Sequence, residues 1–318
     1  MKMEQKLLLG VDDSVFAREA TTAVAGLLKN KGDLEIKLFY GAPDPNISHL
    51  AKMLRLSPKA VEEYEKVCTL EEQNILERSK ETLLDSGFGE DKVTAICESK
   101  CRSTVDSLLK LATREGLETI AVSRHGPGSA GRKLIGSVAL RLGYVSDECA
   151  LWVIDPRNVS RDVLVALGGA PISRRIVEHA VRYFSHLHDS RFTFFHVTPP
   201  LPPQFWDNTR ILNGREQEER EERIASWIEE HENKVREFVD EGKQRLIEAG
   251  VPQENVTVKI QAEDRGVARD ILTEFEEDNY GILVIGRKGY KDINQFHLGS
   301  KANKLLLAAH AFIISLVN

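Results

Sequence analysis

Two glycine-rich segments have the residue types and spacing best suited to chemistry. Gly286-Arg287-Lys288-Gly289 follows the apolar run Ile282–Ile285, and Gly299-Ser300 comes nine residues later. In the first half Ser123-Arg124-His125-Gly126 follows Ile120–Val122, and Gly136-Ser137 again comes after nine residues. Glycine lets backbone approach a ligand closely. A helix opening at each Gly-Ser would offer free N–H groups and the positive end of its dipole, a natural phosphate site. Ser137 or Ser300 would add a hydroxyl or cap the helix. Arg287 and Lys288 would face phosphate oxygens. A spaced glycine triplet alone is a weak signal, because strand–helix turns also use glycine. Its recurrence in both halves strengthens it.

Other candidates are weaker. Cys97 and Cys101 are spaced for a metal or a redox pair, but no second Cys/His pair completes a zinc pattern. Cys97 falls at the end of an expected buried strand, which favours a core cysteine. His125 and His297 lie in the glycine loops, as phosphate contacts or as surface residues. His179, His186 and His188 lie on or just after one helix, without nearby carboxylates, and read as a solvated face. No G-x4-G-K-[ST], G-x-S-x-G or H-E-x-x-H motif occurs.

The elements that must position these residues repeat once. Leu7–Gly10 with Asp12 and Ser14 matches Val163–Leu167 with Gly168 and Ala170, at an offset of 156. Leu38–Pro43 and Phe194–Pro199 keep that offset, whereas Gly87 and Gly250 and everything beyond stand 163 apart. The second half therefore carries seven extra residues, expected in a loop between its second strand and its long helix. The prolines Pro199, Pro200, Pro202 and Pro203 suit such a loop. Strands are predicted at 6–11, 34–41, 92–97, 118–123 and 150–154, then 162–167, 192–198, 255–261, 281–285 and 311–317. Helices alternate with them, including long ones over 59–86 and 216–249. In the latter, Ile224, Trp227, Ile228, Val235, Phe238, Val239 and Leu246 share a face. This alternation predicts an α/β fold of two tandem doubly wound domains, each a five-stranded parallel sheet flanked by helices. The expected domains are 1–158 and 159–318. Ligands of such sheets sit beyond the C-terminal strand edges, at the switch in strand order.

Composition narrows the classes. The chain has 318 residues, 42% hydrophobic and 29% charged, with a net charge of −6. There is enough apolar surface for two cores. The acidic balance argues against broad nucleic-acid binding. No run reaches the ~18 apolar residues that span a membrane. No signal-peptide core and four cysteines confined to the first half lead us to expect a reduced, cytoplasmic protein.

Three features together resemble the universal stress protein family in tandem form. They are Val11-Asp12-x-Ser14, Phe195-His196-Val197, and the G-x2-G-x9-G-S pattern of both halves, which has Ser123 for its first glycine in the first half. The resemblance covers nearly the whole chain and implies a nucleotide α-hydrolase-like fold. It implies adenine-nucleotide binding, with ATP, AMP or ADP as ligand and Mg²⁺ as a companion. The residues implied are Asp12, Gly126, Gly136, Ser137 and Val138 in the first half. In the second half they are Val197, Gly286, Gly289, Gly299 and Ser300, to which the charge of Lys288 in the same loop adds a phosphate contact. Gly168 replaces the strand-one aspartate there, so neither set is complete, and at most one well-occupied nucleotide per chain is expected. A regulatory role is favoured over catalysis. The rivals are a nucleotide-free scaffold that recruits an unknown protein partner and a slow ATP-using enzyme. The apolar segments Ala150–Ile154 and Phe312–Leu316 are expected to pair the two domains within the chain, with homodimerisation also open.

Overall fold

The computed structural model describes residues 5–29, 31–43, 53–54, 57–127, 134–168, 172–202, 205, 213–288 and 298–318. The chain divides into two compact units, Met1–Arg157 and Asn158–Asn318. Asn158 goes with the second unit: its side-chain amide donates to the Tyr280 carbonyl at 2.9 Å and the His310 carbonyl at 3.2 Å.

In the first unit the order is β1 (Gln5–Gly10), α1 (Val15–Leu28), β2 (Leu34–Pro43), α2 (Pro58–Asp85), β3 (Val93–Cys101), α3 (Thr104–Glu115), β4 (Thr119–Ser123), α4 (Ser137–Val145) and β5 (Ala150–Ile154). All its strands are parallel, in the order β3-β2-β1-β4-β5. The second unit comprises β6 (Val163–Leu167), α5 (Ile172–Phe184), β7 (Phe192–Thr198), α6 (Gly214–Glu248), β8 (Val256–Ala262), α7 (Val267–Glu277), β9 (Ile282–Gly286), α8 (Ser300–Ala308) and β10 (Ile313–Val317). Its parallel order, β8-β7-β6-β9-β10, repeats that of the first. The expected α/β architecture holds in both units. Strand order reverses between the first and fourth strands of each unit, so the loops after these two strands diverge over one crevice.

Local chemistry sets the helix ends. The Ser14 hydroxyl caps α1 by accepting from the Ala17 N–H at 3.1 Å. Ser57 caps α2 in the same way, with Pro58 in its first turn. Asn213 and Glu216 form a reciprocal capping box at the start of α6. The central strands are apolar throughout, as strands covered on both faces must be.

Two expectations about these elements fail. The seven extra residues do not lengthen a loop. Helix α2 has 28 residues and α6 has 35, and the additional two turns stand at the N-terminal end of α6. The capping box and an acidic, solvent-facing surface let a helix absorb them. Strand β3 is not buried: it is an edge strand, exposed along most of its length. Cys97 is exposed, accepts no place in the core, and donates to Glu72 Oε2 at 3.4 Å. Burial and the Glu72 carboxylate push its thiol up to about 11, away from thiolate chemistry.

Helix α6 docks through Gly242. A Cβ there would meet Val177 Cγ1 at 2.6 Å and Phe194 Cζ at 2.8 Å. Overpacking costs ~1–3 kcal/mol, and alanine's helix propensity returns ~1 kcal/mol. Gly242→Ala is thus expected to lower the stability of the second unit by about 1 kcal/mol, measured by urea unfolding.

Candidate functional site

In the first unit the crevice brings three expected residues together. Asp12 follows β1 and accepts the Ser14 N–H on Oδ1 at 2.8 Å. Burial raises the affinity of its carboxyl for a proton, and the Ser14 hydrogen bonds oppose that. A Cβ on Gly126 would lie 3.8 Å from Asp12 Oδ2. Gly136 closes the loop by donating its N–H to the Arg124 carbonyl at 2.7 Å. A Cβ on Gly136 would meet that carbonyl oxygen at 3.3 Å and the Gly126 nitrogen at 3.4 Å, so a side chain there crowds the loop backbone. Gly136 is the N-cap of α4 and supplies no side-chain cap. Ser137 is exposed in the first helical position, with Val138 half-buried behind it.

The second unit reproduces the backbone arrangement. Gly299 donates to the Arg287 carbonyl at 2.9 Å and caps α8 without a side-chain bond. Arg287 in turn donates its N–H to the Val317 carbonyl at 2.7 Å, as Arg124 does to Ile154 at 2.7 Å. Ser300 is exposed, and Lys288 is half-buried beside Gly286. Val197 is buried in β7. Gly289 and His297 lie outside the described residues.

The first glycine has a packing reason. A Cβ on Gly286 would meet Ile176 Cδ1 at 3.2 Å and Ile172 Cγ1 at 3.3 Å of α5. In the first unit the residue matching Ile176 is Ala20, which is small enough to admit the Cβ of Ser123. Ser123 is therefore an accommodated neighbour rather than damage, and its hydroxyl accepts the His125 N–H at 3.3 Å. Gly168 is open to solvent, and its carbonyl accepts the Ser173 hydroxyl.

Sequence reasoning missed a charged cluster beneath the first loop. Asp155, just past β5, is 3% exposed. Arg157 Nε reaches its two oxygens at 2.7 and 3.0 Å, and Arg157 Nη2 adds a third bond. Arg124 Nε stands 4.0 Å from Asp155, and His125 Nε2 stands 3.7 Å away. Burial pushes the Asp155 carboxyl up, but Arg157 lowers it by more, so it is held below the usual carboxylate range. Arg124 and His125 are each 3% exposed, so His125 is no surface residue. In the second unit Arg287 is 1% exposed and turns toward Asn318 Oδ1 at 3.5 Å. It does not face the loop mouth as the motif suggested, because the strand-end polar residue draws it inward.

Residues 160–311 match the Universal stress protein family. The second unit thus belongs to the universal stress protein family. Three solved structures share the fold over 99% of this chain. A universal stress protein from Archaeoglobus fulgidus DSM 4304 is 16% identical, with a TM-score of 0.63 over 99% of its own length. A putative universal stress protein from Pseudomonas aeruginosa UCBPP-PA14 is 14% identical, with a TM-score of 0.58 over 93%. A functionally unknown protein from Pseudomonas aeruginosa PAO1 is 13% identical, with a TM-score of 0.58 over 92%. No curated protein matches the chain.

The remaining candidates sort by burial. Cys101 is buried, and among the described residues no group of three His, Cys, Asp or Glu side chains is arranged for a metal. His188 is exposed and bonds the Gly250 carbonyl at 2.8 Å. His179 departs from the solvated face expected for it. It lies on the apolar face of α5, 3.0 Å from Ser315 Oγ. Among the described residues no helix is long and apolar enough to cross a membrane.

Proposed function

We propose that this protein binds an adenine nucleotide, ATP foremost, at the fourth-strand to fourth-helix junction of at least one unit. It acts as a regulator in a stress response rather than as a catalyst. The observation that carries this reading is the pair of helix starts at Gly136 and Gly299. Both lack a side-chain cap, and both are tied to the carbonyl of a buried arginine two or one residues short of the loop glycine and Lys288. First-turn N–H groups left without a side-chain acceptor suit phosphate oxygens. Asp12 beside Gly126 offers the first unit a carboxylate for a nucleoside hydroxyl or amine. Lys288 offers the second unit a cation for phosphate, with Gly286, Gly289 and Ser300 around it and Val197 at the neighbouring strand. A regulatory role fits a loop whose titratable groups are engaged by protein: Asp12 by Ser14, Asp155 by Arg157, His125 by Leu134. Mg²⁺ would arrive with the nucleotide's phosphates. We read the two units as two domains that meet within a residue of the expected 158/159 boundary, Asn158 going with the second, each with its own crevice.

The test is calorimetric titration with ATP and Mg²⁺ of the native chain, Gly136→Glu and Gly299→Glu. A carboxylate at either helix start repels phosphate, and at Gly136 it also crowds the loop. The affected unit is expected to lose more than tenfold in affinity, about 1.4 kcal/mol. The absence of binding up to millimolar ATP, confirmed by a second method, would overturn the reading in favour of a nucleotide-free scaffold.

A further inference from the structure

We propose that the cavity between β8 and α7 of the second unit binds a small organic cation carrying N–H donors, an alkylammonium or a guanidinium, with Glu274 as its anchor. The site lies on the edge-strand side of the unit, and the proposal does not depend on the nucleotide reading above.

The cavity has a volume of about 210 Å³. Pockets for drug-sized ligands run to ~300–1,000 Å³, so this one takes a small molecule. Lys259 and Gln261 alternate along β8 and share the face that lines it. Asp270, Thr273, Glu274 and Glu277 line it from one face of α7, at helical spacing. Asp264 and Arg265 complete the wall. Asp270 holds them there, its two oxygens accepting their N–H groups at 3.0 Å each.

The atom that points to a ligand is Glu274 Oε1. Glu274 is 6% exposed. Lys259 Nζ donates to Oε2, whereas Oε1 is buried and accepts no hydrogen bond among the described residues. Taking a carboxylate oxygen out of water without a donor is costly. The fold does not demand that cost. At the positions matching Asp264, Asp270, Glu274 and Glu277 the first unit carries Cys101, Ser107, Leu111 and Arg114. Leu111 is 5% exposed, as deep as Glu274, and packs there as a core residue of α3. The second unit thus places a carboxylate where leucine suffices. It does so in a cavity whose four carboxylates face two cations, Lys259 and Arg265. The excess negative charge and the unmatched oxygen both call for a cationic donor. Among the described residues no three His, Cys, Asp or Glu side chains are arranged for a metal ion, which favours an organic one. The Lys259 side chain is 49% exposed, so it can swing aside and let a ligand N–H reach the carboxylate.

The test is titration of the full chain with butylammonium, methylguanidinium and tetramethylammonium chlorides at constant ionic strength, followed by NMR at the Asp264, Arg265 and Thr273 amides. Tetramethylammonium carries the charge but no N–H. Glu274→Leu installs the residue of the first unit, and Glu274→Gln keeps the shape without the charge. The expected result is a saturable shift with the two N–H cations and none with tetramethylammonium. Glu274→Leu should lose at least tenfold in affinity and Glu274→Gln severalfold. Glu274→Leu should also keep or raise the urea midpoint of the second unit, because exchanging a buried charge for a packed apolar side chain costs little and Lys259 can turn to water. Flat amides with all three cations would overturn the proposal and leave water as the occupant. Equal shifts with tetramethylammonium, or undiminished shifts in both variants, would overturn it as well. A lowered midpoint in Glu274→Leu together with native binding by Glu274→Gln would make the carboxylate a structural partner of Lys259 and nothing more.

Discussion

Asp155→Ala is expected to destabilise the first unit by about 3 kcal/mol, because it removes the carboxylate that faces the buried Arg124, the Arg157 guanidinium and the His125 imidazole. Breaking a buried ion pair from one side typically costs ~3–5 kcal/mol. The lower end applies here: the Arg157 side chain is 34% exposed and can turn to water, whereas Arg124 is 4% exposed and cannot. Asp155→Asn should cost less, since the second unit already places Asn318 against Arg287 at 3.5 Å. The pH dependence supplies a check on mechanism. The folded carboxyl is held below its unfolded value of ~3.9. Its stabilisation is thus full above that value and lost as pH falls through the folded value. The gap between native and variant should be constant near neutrality and shrink in strong acid. Trp152 is the single tryptophan of the first half, so urea unfolding read by its fluorescence reports this unit. A difference below about 0.5 kcal/mol at pH 7 would show that the cluster holds nothing.

The fold was legible because it rests on short-range signals. Apolar strands alternating with capped helices demand parallel pairing, and the offsets of 156 and 163 place like residues at like strands. The backbone of the candidate site was legible for the same reason: a glycine that caps a helix does so wherever the loop lies. What escaped were features decided by distant partners. Edge or centre is a property of strand order, so β3 looked buried although Glu98 and Lys100 along it hinted otherwise. Whether Ser123 impairs its loop depends on Ala20, more than a hundred residues away in the chain. The Asp155 cluster joins the ends of two strands, and its only trace in sequence is the recurrence of Arg124 at Arg287 with Asp155 exchanged for Asn318. His179 was within reach: Ile176, Ala180 and Tyr183 flank it at helical spacing on the buried face, and that face outranks the want of nearby carboxylates.

That misplaced histidine leads to the other large effect, acid sensitivity confined to the second unit. The His179 ring packs 4.6 Å from the Tyr183 ring and bonds Ser315 Oγ at 3.0 Å. Burial, with Arg182 adding to it, drives its pKa down to about 3. The unfolded chain protonates a histidine near ~6.5. Between these values the unfolded state takes up a proton that the folded state refuses, so stability rises with pH across the window and falls on acidification. The slope for one such group is ~1.4 kcal/mol per pH unit, giving a loss of about 2–3 kcal/mol at pH 4.5 relative to pH 7. The first unit has Ala23 and Trp152 at the matching positions, an apolar pair that does not titrate. Unfolding followed by the tryptophans of the second half should therefore shift in acid well before the Trp152 signal does. His179→Gln keeps a partner for Ser315 and removes the titration. It should start less stable at pH 7 and lose much less on acidification. The double exchange His179→Ala with Ser315→Trp carries the solution of the first unit into the second and should flatten the slope as well. An acid slope unchanged in His179→Gln would assign the sensitivity to other groups and leave this buried imidazole without consequence.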